Sequence, residues 1–181
     1  MSILVVGFLL LPAFLAVTVP AHCDTFVERH DFTYFASLEA AELSRAQLKL
    51  TYVGEQTIPV PTVVISTLHR LPDLDEFTPY RSRGILYAND EGTDVRSGAV
   101  TADELKGLVQ AASAQPALSP NDLGAAALTL TITRRTSTGT QGGEMIVNLP
   151  TARSLVSALI GVANPSNEIV MRILKELESH L

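Results

Sequence analysis

Residues 128–133 read Leu-Thr-Leu-Thr-Ile-Thr, and residues 144–149 read Glu-Met-Ile-Val-Asn-Leu. Strict alternation of apolar and polar side chains is the signature of a strand with one buried face, because successive side chains point to opposite sides. Leu128, Leu130 and Ile132 are expected to face a core, with Thr129, Thr131 and Thr133 facing outward. Met145, Val147 and Leu149 return on the same inner face. The intervening Thr-Ser-Thr-Gly-Thr-Gln-Gly-Gly (136–143) is read as the turn, so the pair forms an antiparallel hairpin. A sheet with one apolar face needs a second layer to cover it, and this hairpin therefore restricts the fold more than any other stretch.

The rest of the chain supplies both strands and cover. Residues 47–53 (QLKLTYV) alternate in the same way, and residues 60–67 (VPTVVIST) form a β-branched apolar run. Pro59 and Pro61 cannot donate to a ladder, which places the start of that strand at a sheet edge or outside the sheet. Residues 84–88 (GILYA) predict another strand, and Asp31–Phe35 (DFTYF) a short one. Ser37 is expected to cap a short helical stretch to Leu43. Thr101 and Glu104 are spaced as a capping box opening a helix to about Ala112. Thr151 is read as the cap of a buried helix to about Ala163. Asn164-Pro165 is read as the start of a last helix with Ile169, Val170, Ile173, Leu174 and Leu177 on one stripe and Glu168–Arg172 as an i,i+4 pair. The expected class is α+β: an antiparallel sheet of about four to six strands, helices packed on one face, and a C-terminal helix pair.

The first 23 residues carry no charged side chain. Residues 3–19 are apolar apart from Gly7, Pro12 and Thr18, and small Ala21 follows Val19-Pro20. That arrangement fits a secretory signal cut after Ala21. The alternative is an uncleaved anchor over residues 3–19, although Pro12 removes a helix hydrogen bond in mid-run. The expected organisation is residues 1–21 as signal, 22–36 as lead-in and 37–181 as one α+β domain. The expected location is secreted or periplasmic, or membrane-anchored if residues 3–19 are retained. Cys23 is the only cysteine, so no internal disulfide forms. Its neighbours His22 and Pro20 do not suit lipidation.

The charge balance is −6, all of it beyond residue 21. An acidic chain without a basic stripe is a poor partner for nucleic acid or for anionic membrane surfaces. No Gly-x-Ser-x-Gly elbow, Ser-x-x-Lys, His-Glu-x-x-His or Walker loop occurs, and no cofactor motif is read. Two stretches offer metal-ligand types: His69, Asp73 and Asp75 supply one imidazole and two carboxylates, in a spacing that matches no strong pattern. Residues 89–94 place oxygens around a glycine but lack the glutamate an EF-hand needs at its twelfth position.

The stretch 68–83 (LHRLPDLDEFTPYRSR) reads as the longest loop. It brings Phe77, Tyr80, Arg81 and Arg83 together, and aromatics and arginine carry much of the energy at protein interfaces. The primary expectation is an exported, non-catalytic domain that binds a protein through this loop or sits in an envelope assembly. The alternative is a small exported hydrolase using His30 or His69, which requires a carboxylate or hydroxyl within about 3 Å of the imidazole.

Overall fold

The computed structural model describes residues 27–53, 60–67, 86–88 and 94–181. Seven strands form one sheet: β1 (Val27–Arg29), β2 (Ala46–Tyr52), β3 (Thr62–Ser66), β4 (Leu86–Ala88), β5 (Asp94–Ala99), β6 (Ala126–Arg135) and β7 (Thr140–Asn148). Their order across the sheet is β1-β7-β6-β2-β3-β5-β4. Four helices accompany them: α1 (Phe32–Ser37), α2 (Ala102–Ser113), α3 (Leu149–Val162) and α4 (Glu168–His180). The class is α+β with a C-terminal helix pair, as the patterning predicts.

The expectation of a purely antiparallel sheet needs correction, because the sheet is mixed. β6–β7, β2–β6, β2–β3 and β4–β5 are antiparallel, whereas β1–β7 and β3–β5 are parallel. A tight hairpin forces antiparallel pairing only on strands adjacent in sequence. β1 reaches β7 from the far end of the chain, and β3 reaches β5 across β4, so neither pair is bound by a hairpin. The signal for the second pair lies in residues 62–66. All five are buried, the two-sided burial that a near-continuous apolar run implies for a parallel-paired strand.

The hairpin itself pairs as expected through Met145 and Val147, whereas Leu149, expected on the same inner face, is the first residue of α3 and only half-buried. Leu128 lies opposite Val147, and Leu130 opposite Met145. Leu48 and Leu50 of β2 join the same face beside Ile132 and Leu130, and Ile65 and Val63 of β3 follow. Leu48, Leu50, Leu128, Leu130 and Ile132 are all fully buried against Phe35, Leu105, Leu108, Leu155, Leu159 and Ile173 from the four helices. The helices therefore cover one face. Each such side chain removed from water contributes roughly 1.5–3 kcal/mol before the entropy of ordering is set against it.

Several local readings change. Residues 32–35 are helical rather than extended, because Phe32 and Phe35, one turn apart, both enter the core. Ser37 does not cap a following helix; its Oγ donates to the Tyr34 carbonyl at 2.7 Å and closes α1. Glu39 opens the succeeding 3-10 turn (Ala40–Leu43), its amide donating to Glu42 Oε2 at 3.0 Å. α2 begins as expected, with Glu104 N donating to Thr101 Oγ1 and Thr101 N to Glu104 Oε2. α3 starts earlier than Thr151: Asn148 is its cap, accepting from Thr151 N at 3.0 Å, and Pro150 fits the first turn. α4 starts later than Pro165, at a cap formed by Asn167, while Asn164 Oδ1 accepts from Ser166 N in the preceding turn. Among the described residues no ion pair joins Glu168 to Arg172. α4 is tied instead to β5, where Arg96 grips Glu176 with two hydrogen bonds of 3.3 and 3.2 Å.

Candidate functional site

β1 brings Glu28 and Arg29, with His30 directly after them, to the edge of the sheet. His30 N donates to the Gly142 carbonyl at 2.9 Å, extending the β1–β7 ladder by one residue before the chain turns into α1. The His30 ring then stacks on Tyr34, with centroids 4.1 Å apart, and meets the edge of Phe35 at 6.1 Å. Its Nε2 lies 3.3 Å from Glu28 Oε1. Glu28 Oε2 accepts from Gln141 Nε2 at 2.9 Å, and Gln141 Oε1 accepts from Arg134 Nε at 2.7 Å. Arg134 Nη1 completes the row at the Glu42 carbonyl, 3.3 Å away. The Gln141 hydrogen bond, with smaller help from His30 and Arg134, holds the Glu28 carboxyl below its ordinary value. This row stitches β1, β7, β6 and the 3-10 turn together.

His30 thus comes close to the separation a catalytic histidine needs from a carboxylate. The other half of the requirement is a nucleophile. Among the described residues no hydroxyl or thiol is hydrogen-bonded to His30. Its imidazole is occupied by Tyr34 on its face and Glu28 at its edge, an arrangement that orders the β1–α1 corner.

On the face away from the helices, the same corner holds a hollow of about 290 Å³ lined by Arg29, His30, Thr131, Thr133, Gly142, Gly143 and Glu144. The register explains it. Arg29, Gly142 and Thr133 form one row across β1, β7 and β6, and Glu144 with Thr131 forms the next row along. Gly142 has no side chain to fill its row, so the floor is backbone. Arg29 and Glu144 are exposed, and neither side chain has a hydrogen bond or ion pair with the described residues. The same holds for the hydroxyls of Thr131 and Thr133.

The sequence predicts a turn over 136–143, whereas β7 begins at Thr140 and carries Gly142 and Gly143 in its interior. Glycine inside a strand marks close approach of another group. Here a Cβ on Gly143 would lie 2.6 Å from Phe35 Cε2 and 3.1 Å from the His30 carbonyl oxygen. That pattern was the available signal for the site, since the outward threonines alone are ordinary for an exposed strand face.

Phe77, Tyr80, Arg81 and Arg83 lie outside the described residues, as do His69, Asp73, Asp75 and the apolar N-terminal stretch. Thr67, the last described residue before the 68–83 segment, is held by the turn and strand that precede it. Thr67 Oγ1 accepts from Ala46 N at 3.0 Å and lies 3.0 Å from the Leu43 carbonyl it can donate to, while Thr67 N donates to the Ala46 carbonyl. The chain re-enters the sheet at β4, on its edge. Among the described residues no group of three or more His, Cys, Asp or Glu side chains is placed to hold a metal ion, and no helix is long and apolar enough to cross a membrane.

Comparison with known proteins returns no matching family, no matching characterised protein and no matching solved structure.

Proposed function

We propose that the chain is an exported, non-catalytic binding domain that engages a protein partner through residues 68–83. The observation that carries this reading is the anchoring of that segment. It leaves β3 at a threonine clamped to the preceding turn and returns through an edge strand of the same sheet. Loops positioned by a rigid scaffold commonly carry binding side chains, and the sequence reads 68–83 as such a loop. Phe77, Tyr80, Arg81 and Arg83 are the residues of this segment suited to an interface. Export rests on the apolar run of residues 3–19 followed by Ala21.

A photo-crosslinking amino acid at position 80, introduced in an exporting host, tests the contact. One discrete adduct is expected, absent when the crosslinker stands at position 129 and lost when Phe77, Arg81 and Arg83 are changed to alanine. Equal labelling at both positions, or none, contradicts the reading. Intact mass of the same material tests export: a soluble species beginning at His22 is expected, and a full-length species confined to membranes contradicts it.

The hydrolase reading has one observation in its favour, the 3.3 Å approach of His30 to Glu28. It requires turnover of a chromogenic ester panel that disappears in His30→Gln. Absence of turnover by the wild-type chain removes it.

A further inference from the structure

We propose that the hollow on the sheet face away from α1–α4 is a binding site for a small zwitterion, with the chemistry of a free α-amino acid. This does not rest on the protein-partner reading, because it is argued from described residues at the β1–β7–β6 corner alone.

The argument begins with charge. One cation, Arg29, and one anion, Glu144, face the same hollow, and neither is spent on a partner among the described residues. They are not paired with each other. Arg29 sits opposite Gly142, and Glu144 is two residues farther along β7. Strand spacing and rise put their Cα atoms roughly 8 Å apart on the diagonal, leaving room between two long side chains for a compact guest. A simple anion would meet Glu144 as a like charge, and a simple cation would meet Arg29. A molecule carrying a carboxylate and an ammonium on one carbon answers both. Arg29 offers a planar fork that suits a carboxylate. Glu144 accepts from an ammonium.

The uncharged lining agrees. Thr131 and Thr133 present hydroxyls that donate or accept as the guest requires, and both lack other partners among the described residues. Gly142 keeps the floor open. A volume of about 290 Å³ lies at the small end of the range for ligand pockets, which favours a single small molecule over a polymer segment.

The test is an amide NMR titration of the full chain with glycine and L-alanine, to about 10 mM, well past half-filling for a millimolar site. The expected result is saturable shifts at the amides of Thr131, Thr133, Gly142 and Gly143. N-acetylglycine lacks the ammonium and glycine methyl ester lacks the carboxylate, and each is expected to bind roughly tenfold or more weakly. Arg29→Met and Glu144→Gln change exposed side chains with no partner among the described residues, so both variants are expected to keep the wild-type melting temperature. Each is expected to weaken amino-acid binding by a similar factor. The proposal is overturned by the absence of saturable shifts, by capped derivatives binding as well as glycine, or by both variants binding as the wild type does.

Discussion

Replacing Gly143 with alanine should test how the N-terminal corner is held. The new Cβ would sit 2.6 and 3.0 Å from two ring carbons of Phe35 and 3.1 Å from the His30 carbonyl oxygen. Phe35 is fully buried and cannot swing into solvent, and the carbonyl belongs to the residue that extends the β1–β7 ladder. Inserting a methyl group into such packing costs about 1–3 kcal/mol. Against this, alanine in a strand interior regains about 0.5–1 kcal/mol relative to glycine. The net expectation is a loss of about 1–2 kcal/mol, a fall in Tm of roughly 2–8 °C for a chain of this size. Thermal and urea melts measure the global change, and hydrogen exchange at the His30 amide reports whether β1 loosens first. The decisive control is a double-mutant cycle with Phe35→Ala, which alone should cost about 3–5 kcal/mol. With the ring gone, Gly143→Ala should become nearly neutral, giving a coupling of about 1–2 kcal/mol. A neutral or stabilising Gly143→Ala in the presence of Phe35 would refute the packing argument.

Thr67→Val leaves the Ala46 amide without its side-chain acceptor and should lower stability by about 1–3 kcal/mol in urea melts, whereas Thr67→Ser should restore most of the loss. Glu28 gives a pH dependence whose sign follows from its depressed carboxyl. Its contribution is present above the ordinary value of 4.5 and is lost as pH falls through the lower folded-state value. Wild type and Glu28→Gln should therefore differ most in β1 amide protection near neutral pH and converge at pH below 4.5, and an unchanged gap in acid would contradict the assignment. Thr101→Ala should cost about 1 kcal/mol through loss of the α2 cap, measured by thermal melts.

Much of this fold is written in local periodicity. The alternation at 128–133 predicts the inward face, and the apolar run 145–147 beyond the turn supplies its partner, because register on a one-sided sheet follows the apolar set. The Thr101–Glu104 box marks its helix start to the residue. Legibility fails where distant segments decide. Residues 32–35 have strand-like composition, yet two phenylalanines one helical turn apart find a core only after β7 has formed beneath them. Residues 27–29 read as lead-in because nothing local distinguishes a three-residue strand whose partner is at 140–142. The two sheet-interior glycines read as a turn for the same reason: the groups that approach them come from the other end of the chain. The hollow inherits that difficulty. Its arginine and glutamate lie more than a hundred positions apart in sequence, and no spacing rule joins them.

The placement of β1 also has a consequence for the order of assembly. A chain that emerges N-terminus first, from a ribosome or through a membrane pore, presents β1 before any of its neighbours. The side-chain bond from Gln141 to Glu28 spans 113 positions, and every β1 ladder bond spans a comparable distance. Loops of that length close slowly relative to hairpins and helices. β1 cannot pair until residues 140–142 are available, and it is expected to join the sheet after the β6–β7 hairpin, as a clasp. Folding kinetics should show a late phase in which the His30 and Glu28 region becomes protected after the β6–β7 hairpin. Until that phase completes, the backbone edge of β7 stays open to any other extended strand in reach.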